Sequence, residues 1–528
     1  MPPRSQWIAL TAIIVAVVSI AQSIYPNSVL SALGLTTCPS SCRSNIAKSR
    51  SKYLGDGCAD KPYSSSWDSW FHPQRSDGAE LDHGLGAGAV TKDWNILYHL
   101  GGNGPWVEKI IDVVDGGVAP PEGCEVVQVH MMSRHAERYP TKKAGRKQKA
   151  VVQRMKDSNK TFEGNLAFFN DWELFWSSDD TQLEQLTTTG PFAGILSSFT
   201  TGIRLRTRYQ HLLEQADLTP SNKPTTFWAS DSNRVIETAK HFAAGFFGID
   251  YSTSNTATLQ VISEHSSIGA DTLTPGRTCL ANKKDKAEGQ QKGYRLMHEY
   301  RATYMPPIRE RLLSQTGMSL DDHEIYAMQE MCGFETTVRG RSDWCDVFTR
   351  DEFLSFEYAR DILHYYRAGP GQKYATSMGW LWLNATTNLL LEGPSAGPLF
   401  FSFVHDGDIA PLMTALDVIN DREHLPITHI AHDRKWRKSQ VSPMGGRIIF
   451  ELLSCKTKRE SLPQKFVRLN INDGITAIPG CDSGPGKSCP LADFAERTKK
   501  RGEEAGNFNE LCGLDDGAAE YITFLHQW

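Results

Sequence analysis

The sequence predicts an α/β protein, a sheet of buried strands ending in polar loops, with a long helical insertion. Three observations lead there. Apolar, β-branched runs at 126–132, 225–229 and 399–404 each stop at a cluster of charged residues, and after the second and third the spacing becomes helical. Two further runs, 447–453 and 466–471, read as strands, the second alternating at Val467, Leu469 and Ile471. Between about 263 and 395 the pattern changes to charged helical stretches such as TRDEFLSFEYARDILHYYRAG, read as a mostly helical insertion over the ends of the strands.

Taken in order, the chain opens on an apolar run over residues 7–21, behind Arg4 and closing in Ser19-Ile20-Ala21. This reads as a signal peptide, 1–21, cleaved before Gln22. The alternative is a membrane anchor over residues 7–24. A cleaved signal implies a secreted or cell-wall-associated protein without stable membrane association. The 528 residues are 40% hydrophobic and carry a net charge of −5. That suffices for a large core, and the mildly acidic balance argues against nucleic-acid binding. Residues 22–118 read as a largely irregular N-terminal extension, in which Gly84, Gly86 and Gly88 belong to a linker and Gly101-Gly102-Asn103-Gly104-Pro105 to a tight turn. Eleven cysteines in an exported chain imply disulfides and one leftover thiol, and Asn159 and Asn384 begin glycosylation acceptor triplets.

After Thr141 comes a basic tract, Lys142, Lys143, Arg146, Lys147 and Lys149, which fits either a polyanion-attracting rim or a solvated helix face. Pro191 is expected in the first turn of a helix running to about Ala216. Ser230-Asp231-Ser232 offers cap chemistry after the run at 225–229, which puts Arg234 in the first turn of a helix, where anions are favoured. His405-Asp406-Gly407-Asp408 likewise joins the run at 399–404 to a helix, with Asp408 read as a cap rather than a metal ligand. Gly486-Lys487-Ser488 imitates the end of a phosphate loop, but Cys481 stands where its first glycine belongs.

The stretch VVQVHMMSRHAERYPT (126–141) concentrates the chemistry: a strand delivers Arg134, His135, Arg138 and Pro140 within one loop. Guanidinium groups offer planar forks to phosphate oxygens, and a neutral imidazole is a nucleophile that a phosphoryl dianion does not repel. In open α/β sheets ligands bind outside the carboxyl ends of the strands, so the loops at 134 and 405 can converge there.

Arg134-His135-Ala136-Glu137-Arg138-Tyr139-Pro140 resembles the R-H-G-x-R-x-P motif of the histidine acid phosphatase family, and His405-Asp406 resembles its H-D motif. The segments WNILYHLGGNGPW (94–106), FWASDSNRVIETAKHFAAGFFG (227–248) and CDSGPGKSCPLADF (481–494) are similar to secreted ascomycete acid phosphatases and fungal phytases. The resemblance runs from about residue 90 to the end. It implies a three-layer α/β/α phosphohistidine phosphatase-like core over 119–262 and 396–480. A helical cap over 263–395, with part of 145–200, and a disulfide-held segment over 481–528 complete the expected chain. The family pattern implies the pairs Cys124 with Cys455, Cys279 with Cys512, Cys332 with Cys345, and Cys481 with Cys489.

The resemblance further implies an acid phosphatase acting on small phosphomonoesters without a cofactor or metal. His135 is the expected nucleophile, Asp406 the proton donor, and Arg134, Arg138, Arg234 and His405 the phosphate ligands. Asp406 must be protonated to act, so mildly acidic conditions are expected to favour the reaction. Phytate is an expected substrate, and a dedicated 3-phytase is the alternative. Ala136 stands where the family has glycine. A left-handed backbone there would cost about 1 kcal/mol, and a catalytically impaired phosphate-binding module is the alternative reading from another class.

Overall fold

The first strand of the main sheet, β1 (Cys124–Arg134), runs two residues past its apolar stretch. The ladder carries it there: Ser133 and Arg134 pair in parallel register with Phe403 and Val404, and Arg134 N–H donates to the Gly446 carbonyl. Hydrogen bonding rather than hydrophobicity therefore brings Arg134 to the sheet's edge. The computed structural model describes residues 90–91, 94–217, 223–456 and 462–527. The expected signal peptide or anchor, most of the N-terminal extension, and Cys38, Cys42 and Cys58 lie outside the described residues.

Apart from a separate short antiparallel pair that joins Val90–Thr91 to Trp94–Asn95, the other strands belong to the main sheet: β2 (Thr225–Ser230), β3 (Ala257–Ile262), β4 (Leu399–Val404), β5 (Arg447–Cys455), β6 (Gln464–Ile471), β7 (Gly474–Thr476) and β8 (Cys489–Pro490). They form an eight-stranded mixed sheet in the order β8-β6-β5-β1-β4-β2-β3, with β7 on β6. β1, β4, β2 and β3 run parallel, whereas β5, β6, β7 and β8 continue by antiparallel pairing. β1 lies at the change of direction. On one face Val129, Met131, Phe401 and Phe403 pack with α2 (Gly194–Asp217) and α3 (Asn233–Phe246), through Leu205, Tyr209, Phe242 and Phe246. The opposite face, with Phe400, Phe450 and Leu452, is covered by apolar residues of α7 (Ala375–Glu392), α8 (Asp406–Leu416) and α9 (Leu491–Ala505). The architecture is thus a three-layer α/β/α sandwich.

Beyond the carboxyl ends of the parallel strands lie α1 (Lys142–Asp157), α4 (Gln291–Thr316), α5 (Asp322–Arg339) and α6 (Arg350–Ala368). Capping boxes at Asp321/Glu324 and Thr349/Glu352 start α5 and α6. Among the described residues four disulfides are formed: Cys124–Cys455 across the neighbouring strands β1 and β5, Cys279–Cys512, Cys332–Cys345 and Cys481–Cys489. Asn159 is exposed just beyond α1, whereas Asn384 is half-buried on α7.

Three features depart from the sequence reading. Helix α2 begins at Gly194 rather than around Pro191, because Gly194 lies against the backbone of Glu137, where a Cβ would come within 1.9 Å of the carbonyl oxygen. α7 belongs to the sandwich rather than to the cap, since Trp382 packs on Phe450 and donates from Nε1 to Ser402 Oγ. Residues 94–107 are not an irregular extension: Trp94, Ile96, Leu97, Leu100 and Val107 are buried in the core. Their burial links the sequence pattern to tertiary packing that no local period reveals.

Candidate active site

At the carboxyl ends of β1, β2 and β4 a cavity of about 480 Å³ opens, lined by His135, Arg138, Arg234, His405 and Asp406. Each side chain arrives from a strand end. His135 follows β1 directly, its N–H donating to the Val404 carbonyl of β4, and its ring meets that of His405 edge-on at 5.7 Å. Arg234 is in the first turn of α3, as expected from the cap residues after β2. His405 precedes α8, and Asp408 secures that start by accepting the His405 N–H at 3.0 Å, which fits the cap reading. Burial pushes the Asp408 carboxyl well above the usual range despite that bond.

The loop after β1 is fixed from behind. Glu137 is fully buried, accepting from Trp106 N–H at 2.8 Å and from the Ser197 hydroxyl, so the segment 94–106 and α2 both hold it. Ala136 is not among the residues with positive φ. Its N–H donates to Thr238 Oγ1 at 3.0 Å, and it lines a small separate crevice beside Phe242 and Ser198. The strain anticipated for alanine at this position therefore does not arise, because the methyl points into helix packing.

His135 Nδ1 lies 2.9 Å from the Ala136 carbonyl oxygen, which can only accept. Nδ1 thus carries the hydrogen and Nε2 the lone pair. Burial, with Arg134, Arg234, Arg138 and His405 adding to it, holds the imidazole well below its usual range and therefore neutral. The same logic fixes the second histidine. Arg234 Nη2 faces His405 Nδ1 at 3.3 Å and must be the donor, so His405 Nε2 donates to Glu264 Oε1 at 2.7 Å.

Arg138 keeps its place through Tyr139 O, 2.9 Å from Nη1, and the face of the Phe334 ring. Burial and the neighbouring Arg234 and Arg134 push its guanidinium down to about 9, which leaves it cationic in acid. Arg134 departs from the expected arrangement: it is 1% exposed and is not among the residues lining the cavity. Its Nη1 donates to the carbonyls of Gly102 and Ser442, while Nη2 approaches Asp406 Oδ2 at 3.6 Å. The turn at Gly101-Gly102 is therefore also part of the site's support. Gly102 has φ +77°, and a Cβ there would crowd both Arg134 and Lys438 at 3.3–3.4 Å.

Asp406 is expected to be protonated when it acts, and in the free site its ionisation depends on its neighbours. Burial alone would raise this carboxyl, but Lys438, Arg134, His364 and Arg367 together hold it well below the usual range. The protein's own field keeps it ionised.

Several residues of the site carry no local signal. Glu264 lies two residues past β3, a strand missed because its alternation is weak. Lys438 is fully buried within the tract WRKSQ, which looks like surface. A pattern was available for Arg360, His364 and Arg367, which recur at helical spacing on α6 and line the cavity with Asn103. Of the basic tract, Lys143 and Lys147 line the cavity, four residues apart on α1, whereas Lys142, Arg146 and Lys149 do not. His298, Arg301 and His323 from α4 and α5 line it as well.

Comparison with known proteins gives the same architecture. The chain is 33% identical over 440 residues to Phytase PHO112 of Candida albicans, covering 83% of this chain and 91% of the relative. It is 32% identical over 468 residues to Acid phosphatase PHO1 of Komagataella pastoris, covering 85% and 94%. The crystal structure of the phytase from D. castellii superposes with a TM-score of 0.75 at 29% identity, over 85% of this chain and 94% of that one. Residues 125–472, which run from β1 into the turn after β6 and so hold both motif loops, match the histidine phosphatase superfamily (branch 2), and this chain belongs to that family.

Proposed function

We propose that this protein is a secreted acid phosphatase that hydrolyses phosphomonoesters, phytate among them, through a covalent phosphohistidine at His135. The observation that carries the reading is the hydrogen bond from His135 Nδ1 to the Ala136 carbonyl, which leaves Nε2 with its lone pair in a neutral ring. In the first step Nε2 attacks phosphorus in line and the bond to the leaving oxygen breaks. Arg138 and Arg234 hold the non-bridging oxygens, joined by His405 once its Nδ1 takes up a proton beside the phosphoryl group, with Arg134 behind them. Asp406 gives a proton to the leaving oxygen. In the second step water attacks the phosphohistidine and returns a proton to Asp406, releasing phosphate and the free imidazole. A phosphoryl dianion among the same cations offsets the field that ionises Asp406, so the carboxyl takes up its proton as substrate binds. Acid conditions favour that form. No metal or cofactor enters the scheme, since guanidinium groups supply the positive charge.

Export is supported by the four disulfides and by the N-terminal apolar run. Among the described residues no helix is long and apolar enough to cross a membrane. A dedicated 3-phytase is the second reading, favoured by the cationic rim of Lys143, Lys147, His298, Arg301 and His323. The ratio of kcat/KM for phytate to that for p-nitrophenyl phosphate ranks the two. An impaired binding module loses its main support with the relaxed backbone at Ala136.

The decisive experiment is rapid acid quench with ³²P-labelled substrate, followed by peptide mapping. Label on the peptide containing His135 is expected. Turnover without labelled enzyme, or label on another residue, would overturn the covalent scheme.

A further inference from the structure

Lys438 is 0% exposed, does not line the cavity, and has no role in the scheme above. Its ammonium has three hydrogens and three acceptors: Ser442 O at 2.7 Å, Ser442 Oγ at 2.7 Å and Asp406 Oδ2 at 3.3 Å. The carbonyl and the carboxylate only accept, so each engages an N–H of Lys438; burial, with Arg134 and Arg360 adding to it, lowers the basicity of the amine, and the Asp406 carboxylate opposes that and favours the ammonium form. The backbone holds it in place, since Lys438 N–H donates to Asp361 Oδ1 at 2.6 Å and Asp361 in turn accepts from Arg434 Nε at 2.7 Å. The room for its side chain comes from Gly102, whose absent Cβ would lie 3.3 Å from Lys438 Nζ.

We propose that Lys438 is a positioning residue that acts through Asp406, holding that carboxyl ionised and aimed at the cavity until a phosphoryl group arrives. The proton that Asp406 later gives to the leaving oxygen then comes with the substrate. A phosphomonoester monoanion enters, its proton passes to the Asp406 carboxylate, and the remaining dianion is held by the arginines. Charge balances at each stage: the ammonium is unchanged, and one proton moves from phosphoryl oxygen to carboxylate oxygen. The other groups facing Asp406 are Arg134 at 3.6 Å from the end of β1, His364 at 3.8 Å with Arg360 and Arg367 from α6, Arg138 from the loop after β1, Arg234 from α3, and its neighbour His405. Asp408 lies two residues on in α8. Lys438 is the nearest cation of the set, and the strongest of the groups opposing burial in the field at Asp406.

This inference rests on Asp406 being the proton donor, so the test includes Asp406→Asn. The readout is the pH dependence of kcat for glycerol 2-phosphate, whose alkoxide leaving group needs a proton, since kcat reports groups in the substrate complex. Lys438→Met and the milder Lys438→Gln, which retains a donor for the Ser442 carbonyl, are expected to move the alkaline limb upward by about one pH unit or more. A merely structural role would lower kcat or the melting temperature and leave the limb in place, and that result would overturn the inference. If Asp406→Asn leaves glycerol 2-phosphate turnover intact, the donor assignment itself fails. A measurement on the unmodified protein keeps the idea exposed should neither lysine variant fold. Sulfate remains a dianion throughout the acid range, so its binding at about pH 5, followed calorimetrically in two buffers of different ionisation enthalpy, is expected to take up about one proton. No uptake would mean that Asp406 is not held ionised, and would end the proposal.

Discussion

His130 and His135 lie five positions apart on one strand and its loop, both are buried, and both are held neutral for different reasons. At His135 the cause is burial among cations, which suits a nucleophile working in acid. At His130 it is burial alone: the ring stacks on Phe400 at 4.4 Å, neither nitrogen has a partner among the described residues, and the imidazole is pushed down to about 3. The sign of the consequence follows from linkage. The unfolded chain takes up a proton below about pH 6.5 and the folded protein does not until about pH 3, so stability is lost as pH falls between those values. At about pH 4.5 the loss is on the order of 3 kcal/mol. His130→Leu is therefore expected to raise the melting temperature at that pH by about 3–6 °C while changing it little at pH 7, as thermal denaturation at both pH values would reveal. His135→Ala is expected to lower kcat by about four orders of magnitude or more with its fold intact by circular dichroism. EDTA is expected to leave turnover of the unmodified protein unchanged, and an EDTA-sensitive rate would contradict the proposed source of positive charge.

Among the elements, α1 offers the sharpest test, because one tract on it was open to two readings. The structure divides the tract between two faces. Lys143 and Lys147 face the cavity, whereas Lys142 and Arg146 are exposed and lie off it. Lys143→Ala with Lys147→Ala is expected to lower kcat/KM for phytate by about tenfold and to alter that for p-nitrophenyl phosphate much less. Lys142→Ala with Arg146→Ala is expected to change neither. Equal losses from both pairs would mean that net charge, not the cavity-facing side of the helix, attracts the substrate. His298 and His323, whose rings meet at 5.4 Å, face this rim from α4 and α5. Burial depresses the basicity of both, helped by Arg301, so they add charge to the rim only in acid.

For the whole molecule, the Cys124–Cys455 bond closes a loop of 331 residues between strands paired in register. Removing it by the double change to serine is expected to cost about 3–5 kcal/mol, measurable as a lower midpoint in urea. The strand-loop-helix units around 134, 234 and 405 were legible in the sequence because each is local: a run of apolar residues, a break, and cap chemistry are written side by side. The motif residues His135, Arg138, Arg234, His405 and Asp406 were legible for the same reason, helped by family resemblance. Lys438, Glu264 and the support from residues 94–106 were not. Their contacts with the site span 31 to 141 positions, or arise from burial that their neighbours in sequence do not foretell. The ionisation of Asp406 in the free site was not legible for a related reason. A carboxyl's ionisation is set by the summed field of charges brought near it, and here those charges come from β1, α6 and the segment at Lys438, which only the folded chain assembles. What the sequence determined by itself was the list of chemical groups and the local elements that present them. The tertiary structure decided which ring nitrogen is free, which carboxyl is charged and which arginine stands behind the cavity wall, because each depends on distances between residues that sequence order does not constrain.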